Sequence, residues 1–174
     1  LAIGWSREVL IFDTTSWTRI ASVGREKEVN DKGKAIKLDS RDVEHHNSVS
    51  YLEWSPDGKI LAVSRKSVSI RFYDASKPKY PLVHRLPKTK NASDLSWSLD
   101  DAYFVAICPD SSDNVDSTAI SVFKTVDGLP HTRVQQWSTP DGSIGGEYGP
   151  HKTVAAEWSP DGSCLAEVGL TRMN

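Results

Sequence analysis

EWSPDG, at residues 53–58, recurs as SWSLDD at residues 96–101 and again as EWSPDG at residues 157–162. An apolar stretch follows each copy at once. Pro, Asp and Gly favour a tight turn, because Pro presets its own φ and Gly adopts a positive φ without steric cost. The repeated pattern therefore predicts three β-hairpins, each with a strand that ends in a buried tryptophan, a tight turn and a second strand.

The repeated tryptophans, Trp54, Trp97 and Trp158, give a period of about 40 residues, which extra loop lengthens in the second step. A unit of this length with four strands is typical of a β-propeller blade. Short β-branched and aromatic runs predict two complete units, with strands at residues 49–54, 59–64, 68–74 and 80–86, and at 92–98, 102–108, 118–124 and 132–137. The first unit lacks its opening strand and has three predicted strands, at residues 1–4, 8–13 and 18–23. The last unit has only two, at 153–158 and 163–168.

The predicted fold class is all-β, a β-propeller segment of four-stranded antiparallel blades, two of them complete and two partial. We place the blades at about 1–47, 48–90, 91–150 and 151–174, within a single domain of residues 1–174. Closed propellers use four to eight blades. The rest of the propeller is therefore expected to come from sequence outside these residues. Cys108 and Cys164 lie in apolar strand patterns, so we predict two buried free thiols.

The chain resembles WD-repeat β-propellers over nearly its full length. His45 and His151 stand shortly before predicted first strands, where the blades of that family carry a histidine. The family's Trp-Asp pair at the end of the third strand has counterparts at residues 12–13 (FD) and 73–74 (YD), and a degenerate one at 123–124 (FK). The resemblance implies a non-enzymatic scaffold that mediates protein–protein interactions through the loops between its blades.

Charge is divided between neighbouring blades. Residues 65–90 hold eight Lys and Arg against one Asp, whereas residues 91–130 hold seven Asp against one Lys. Neighbouring surfaces of opposite charge would steer and orient a partner. Solvated loops, however, carry similar runs of charged residues without binding anything. We leave both readings open, and likewise whether the long connections at 24–47 and 138–151 are functional.

The resemblance also indicates where a partner would bind. In WD-repeat propellers the turn between the second and third strands shares one face with the loops between blades. Protein partners, and an acidic peptide in particular, are therefore expected to contact a basic group on that face. Its predicted members are Arg65, Lys66, Lys88 and Lys90, with His45 and His46 beside them.

The sequence contains no nucleophile elbow, phosphate-binding loop or zinc-protease motif. We therefore predict no catalytic residues and no cofactor. No metal site is expected either, because residues 110–117 lack the Gly and the distant Glu of a calcium loop, and no further ligands complete a zinc site around His45 and His46.

Two other functions stay open. One is a propeller lobe within a larger hydrolase or transport assembly, and the other is a nucleic-acid- or phosphate-binding propeller. Nucleic acid is the less favoured partner, because the net charge is −2 and Tyr73 and Tyr80 follow a packing pattern. No apolar run reaches membrane-spanning length, so we expect no membrane contact and an intracellular location, cytoplasmic or nuclear.

Overall fold

The computed structural model describes residues 1–5, 8–24, 48–66, 68–87, 89, 91–109, 118–138 and 151–171. These residues form thirteen β-strands in four antiparallel sheets. Sheet 1 contains β1 (Ala2–Trp5), β2 (Glu8–Phe12) and β3 (Arg19–Val23). Sheet 2 contains β4 (Val49–Trp54), β5 (Ile60–Arg65), β6 (Val68–Asp74) and β7 (Leu82–Leu86). Sheet 3 contains β8 (Asp94–Trp97), β9 (Tyr103–Pro109), β10 (Thr118–Val126) and β11 (Leu129–Ser138). Sheet 4 contains β12 (His151–Trp158) and β13 (Leu165–Thr171).

The strand order within each sheet follows the order of the chain. Two sheets have four strands, one has three and one has two, which confirms the predicted segment with two complete and two partial blades. The chain divides into two compact units: Leu1–Trp54 with Gly58–Asn91, and Ser55–Asp57 with Ala92–Asn174. The first unit holds sheets 1 and 2, and the second holds sheets 3 and 4. The blade boundaries and the single domain of residues 1–174 stay predictions.

Each unit has an apolar core between its two sheets. In the first unit, buried residues of sheet 1 pack against buried residues of sheet 2; they are Val9, Ile11, Val23, Leu61, Val63 and Tyr73. In the second unit, sheets 3 and 4 share a core of Val105, Ile107, Ile120, Val122 and Ala156. The central strand β5 is buried throughout, which explains why its sequence is a continuous apolar run instead of an alternating one.

The repeated tryptophan phrase forms the same turn in all three copies. In each turn the serine hydroxyl donates a hydrogen bond to Oδ1 of the aspartate two residues later. The distances are 2.7 Å for Ser55–Asp57, 2.6 Å for Ser98–Asp100 and 2.6 Å for Ser159–Asp161. The hydroxyl of Ser159, with the backbone N–H and hydroxyl of Ser163, lowers the pKa of Asp161 to about 2. The side chain of Ser98, and then the N–H of Ala102, likewise lower the pKa of Asp100.

Gly4 lies where β1 passes close to β4 in the first unit. A Cβ atom at this position would stand 2.8 Å from Cγ1 of Val49 and 3.1 Å from its Cβ. Only glycine therefore fits without a shift of the neighbouring strand.

The two cysteines differ in exposure. Cys108 is buried in β9, and burial raises the pKa of its thiol to about 12. Cys164 is exposed, so the prediction of a buried thiol is wrong there. It lies just before β13, in the turn of the third tryptophan phrase, and not inside the strand.

Candidate protein-interaction surfaces

The turn between β5 and β6 brings together backbone segments that are distant in sequence. The backbone N–H of Lys66 donates to the carbonyl of Ser48 at 3.1 Å, and the guanidinium of Arg65 donates from Nη2 to the carbonyl of Gly24 at 2.7 Å. Gly24 follows β3 and Ser48 precedes β4, so the described ends of one long connection lie at this turn. We call this end of sheet 2 the loop end.

Thr89 brings a third segment to the loop end. Its hydroxyl donates to the carbonyl of Leu86 at 2.6 Å and accepts from the backbone N–H of Ile70 at 3.3 Å. Thr89 is buried. The chain leaving β7 is therefore tied back to the start of β6, at the same end of the sheet as Lys66.

The predicted basic group divides at this end into a buried and an exposed member. Arg65 is only 2% exposed, and Lys66 beside it is exposed. Because the Arg65 guanidinium reaches the Gly24 carbonyl inside the first unit, this side chain is not open to a partner. The expectation that Arg65 contacts an acidic peptide is corrected to a structural role. His45, His46, Lys88 and Lys90 lie outside the described residues.

The basic run of sheet 2 carries less surface charge than the sequence count indicates. Arg71 is buried like Arg65. At the end opposite the loop end, Lys77 forms a 2.9 Å ion pair with Asp74. This side-chain contact, followed by that of Ser76, lowers the pKa of Asp74. The count of eight basic residues therefore overstates the positive charge at the surface of sheet 2. Lys66 at the loop end is exposed.

The acidic run of the second unit is also partly structural. Asp94 is buried, and its Oδ2 accepts a 2.8 Å hydrogen bond from the backbone N–H of Ala156 in sheet 4. Its Oδ1 accepts the N–H of Leu95 at 2.9 Å. Asp100 shapes the turn that follows Trp97. Because Asp94 is buried, the acidic run has one charge fewer at the surface than the sequence count indicates, whereas Asp100 is exposed. Residues 110–117 lie outside the described part.

Trp17 is an exposed aromatic residue that the sequence reading did not single out. It lies in the hairpin between β2 and β3 with 66% of its surface exposed and a φ of 54°. Oδ1 of Asp13 braces this hairpin by accepting hydrogen bonds from the N–H of Thr15 and from the N–H and hydroxyl of Ser16. A tryptophan among short polar residues between two strands was the available signal. Exposed, rigidly held tryptophans are typical anchors of protein interfaces.

Other site types find little support among the residues described. These residues contain no group of three His, Cys, Asp or Glu side chains suited to a metal ion, and none of them forms a helix that could span a membrane. Tyr73 is fully buried and Tyr80 packs against the core of the first unit, so neither ring is free to stack on a nucleic-acid base.

Comparison with known proteins identifies related chains. Residues 1–100 match the family described as the Anaphase-promoting complex subunit 4 WD40 domain. The fold is similar to a chain in a crystal structure of the mitotic checkpoint complex, with a TM-score of 0.64 and 17% sequence identity over 98% of this chain and 45% of that one. It is also similar to the Cps50 (Swd1) β-propeller domain of Myceliophteria thermophila, with a TM-score of 0.61 and 16% identity over 97% of this chain and 46% of that one.

The family match and the two structural matches support different kinds of conclusion. At such low identities the two solved structures show the fold alone, which is that of WD40 β-propellers. This chain spans less than half the length of either one. No curated protein matches it in sequence.

Proposed function

The chain belongs to the family of the Anaphase-promoting complex subunit 4 WD40 domain, which matches 100 of its 174 residues, and on this premise we propose that it is a non-enzymatic scaffold that binds protein partners through the loops between its blades. WD40 propellers are in general scaffolds of this kind. The mechanism is display: rigid sheets hold loop residues in fixed positions, which limits the entropy that binding would otherwise cost.

The observation that carries the proposal is the construction of the loop end. Three chain segments are tied there by hydrogen bonds from Arg65, Lys66 and Thr89, while the Lys66 side chain is exposed. A buried arginine thus fixes the turn and the neighbouring lysine is presented from it. We infer that Lys66 contacts an acidic peptide of the partner, together with Lys88, Lys90, His45 and His46.

Two other functions stay as alternatives. A nucleic-acid-binding propeller needs exposed aromatics beside the basic residues, and Tyr73 and Tyr80 are packed instead. The other alternative is a lobe of a larger hydrolase or transport assembly, in which a further domain would carry the reaction or the transport. An intracellular location, cytoplasmic or nuclear, is part of the proposal because a scaffold of this family would meet its partners there.

The test uses a fluorescent Glu-rich peptide and measures its binding to the protein by fluorescence anisotropy at two salt concentrations. Lys66→Glu should weaken binding by about tenfold, because charge reversal replaces an attraction by a repulsion at short range. Lys59→Glu is the matched control. Lys59 is exposed and stands just before β5, whereas Lys66 stands just after it, so both variants have the same net charge.

Equal binding by the two variants would show that the peptide responds to net charge and not to the loop end. A single-stranded oligonucleotide of equal charge is the second probe. If the oligonucleotide binds more tightly than the peptide and Lys66→Glu abolishes its binding, the nucleic-acid function replaces the one proposed.

A further inference from the structure

Trp17 and Tyr80 occupy equivalent places in two hairpins of the first unit, but only Tyr80 is packed. In the β2–β3 and β6–β7 hairpins the N–H of an aspartate, Asp13 or Asp74, donates at 3.0 Å to the carbonyl of the residue that follows the aromatic ring. Both aromatic residues have a positive φ, 54° for Trp17 and 49° for Tyr80. Tyr80 packs against the core of the first unit, whereas 66% of the surface of Trp17 is exposed. Packing therefore does not account for this tryptophan.

The backbone of Trp17 makes a tryptophan at this place more unexpected. A bulky residue at positive φ is uncommon, because its Cβ atom comes close to the following carbonyl oxygen. The turn is nevertheless held firmly, since Oδ1 of Asp13 accepts three hydrogen bonds from Thr15 and Ser16. The hairpin therefore presents an exposed indole from a strained but braced turn. Strain that the surrounding structure maintains points to a functional position.

The strand that follows this hairpin, β3, lies at an edge of sheet 1. Among the residues that the structure describes, β3 pairs with β2 alone. A register shift leaves Ile20 outside the cross-strand pairs, and its side chain is 55% exposed. Bulges of this kind redirect a side chain. Trp17 and Ile20 are thus two exposed apolar side chains beside a strand edge, and such an edge can pair with a further strand.

The sequence of β3 distinguishes it from the outer strands of the two four-stranded sheets. Charged residues and prolines protect sheet edges from pairing. β7 carries Arg85 in its interior, and β11 carries Pro130 and Arg133. After Arg19, the remaining residues of β3 are IASV, without charge or proline. Register shifts occur in all three outer strands, so the bulge does not distinguish them. The edge of β3 is therefore the least protected of the three.

We propose that β3 and its hairpin form a second protein-binding site, at which an extended peptide segment of a partner protein adds a strand along β3. An apolar side chain of the peptide packs against Trp17 and Ile20, and an acidic residue pairs with Arg19, which is exposed. Main-chain hydrogen bonds provide affinity in this mode of recognition, and the side-chain contacts provide specificity. Gly24 at the loop end follows β3, whereas Trp17 precedes it. The two sites therefore lie at opposite ends of β3 and can bind two partners at once.

The experiment selects binders from a library of random short peptides displayed on phage. The selected peptides should alternate apolar with polar residues and contain Asp or Glu. Binding of the strongest selected peptide, measured by fluorescence anisotropy, should weaken by about tenfold or more for Trp17→Asn. Asn tolerates a positive φ better than Trp, so the midpoint of urea unfolding should not fall. Val83→Thr is the matched control, because Val83 is an exposed apolar residue on the outer strand β7, and it should leave binding unchanged.

N-methylation of alternate residues of the selected peptide tests strand pairing itself. Only every second N–H of an added strand points at the neighbouring strand. Methylation of one alternate set should therefore abolish binding, and methylation of the other set should preserve it. Arg19→Glu should weaken binding by about tenfold, whereas Lys66→Glu at the loop end should not change it, so this site and the loop end are tested separately.

Four results would overturn the proposal. They are the recovery of no peptide, equal binding by Trp17→Asn and the unchanged protein, equal binding of the two methylated sets, and weakening by Lys66→Glu as large as that by Arg19→Glu. Light scattering of the protein alone tests a different occupant. Self-association that Trp17→Asn abolishes would show that a second copy of the chain, and not a partner peptide, covers the edge of β3.

Discussion

Arg65 offers a sharp test of how the first unit is held together. The guanidinium donates to the buried carbonyl of Gly24 at 2.7 Å, and the side chain is 2% exposed. Arg65→Ala removes two buried methylene groups, Cγ and Cδ, worth about 0.8 kcal/mol each, and it removes the hydrogen bond from a charged donor to the Gly24 carbonyl, worth about 1.5 to 3 kcal/mol. Part of this loss is offset because a charged group no longer has to be buried. We expect a loss of about 3 kcal/mol.

Arg65→Met separates the two contributions to this loss. The methionine side chain keeps most of the apolar packing but cannot donate to the Gly24 carbonyl, so we expect a loss of about 1 to 2 kcal/mol. Lys66→Ala is the control on the neighbouring residue. Because Lys66 is exposed, its truncation should change the free energy of unfolding by less than about 0.5 kcal/mol.

The assay is urea unfolding of the three variants and the unchanged protein, followed by far-UV circular dichroism. For a chain of this size, 3 kcal/mol corresponds to a shift in Tm of about 6 to 12 °C, so thermal unfolding provides a second readout. If Arg65→Ala falls within about 0.5 kcal/mol of Lys66→Ala, the buried hydrogen bond does not stabilise the unit.

Two further predictions concern packing and pH. Gly4→Ala places a methyl carbon 2.8 Å from Val49 and should lower the free energy of unfolding by about 1 to 3 kcal/mol, measured by the same urea titration; an unchanged midpoint would mean that β1 and β4 can move apart freely. Because the folded-state pKa of Asp161 is about 2, below its ordinary value of 3.8, its contribution to stability is present above pH 4 and is lost as the pH falls from about 4 to about 2. Asp161→Asn should therefore flatten the dependence of stability on pH in that window, and a slope equal to that of the unchanged protein would contradict this.

The strands were largely predictable because their signals are local. The predicted strands at 49–54 and 68–74 coincide with β4 and β6, and the missing inner strand of sheet 1 followed from alignment of the repeats. The fourth strand of sheet 3 was predicted too short, at 132–137, whereas β11 covers Leu129–Ser138. The turn at Asp127 and Gly128, both with positive φ, reverses the chain within two residues, so pairing resumes at once.

The site was less predictable because burial of a charge depends on distant residues. The acceptor of Arg65 is a backbone carbonyl that lies 41 residues earlier in the chain, and a carbonyl has no signature in the sequence. Arg65 and Lys66 are adjacent and equally basic in the sequence, yet one is buried and the other exposed. The resemblance and the charge count therefore predicted a basic group at this turn but did not separate the residue that builds the turn from the residue that the turn presents.

The second copy of the repeated phrase shows which of its residues determine the turn. Leu99 and Asp101 replace the Pro and Gly of the other copies, yet the turn keeps its shape. Asp101 has a φ of 57°, close to the 72° of Gly58, and short polar residues tolerate this left-handed conformation better than others. The hydrogen bond from Ser98 to Asp100 is the element that all three copies share. Pro and Gly thus favour the turn through backbone preference, whereas the serine and aspartate form it. A blade of this kind can therefore lose the Pro-Asp-Gly signature and keep its fold.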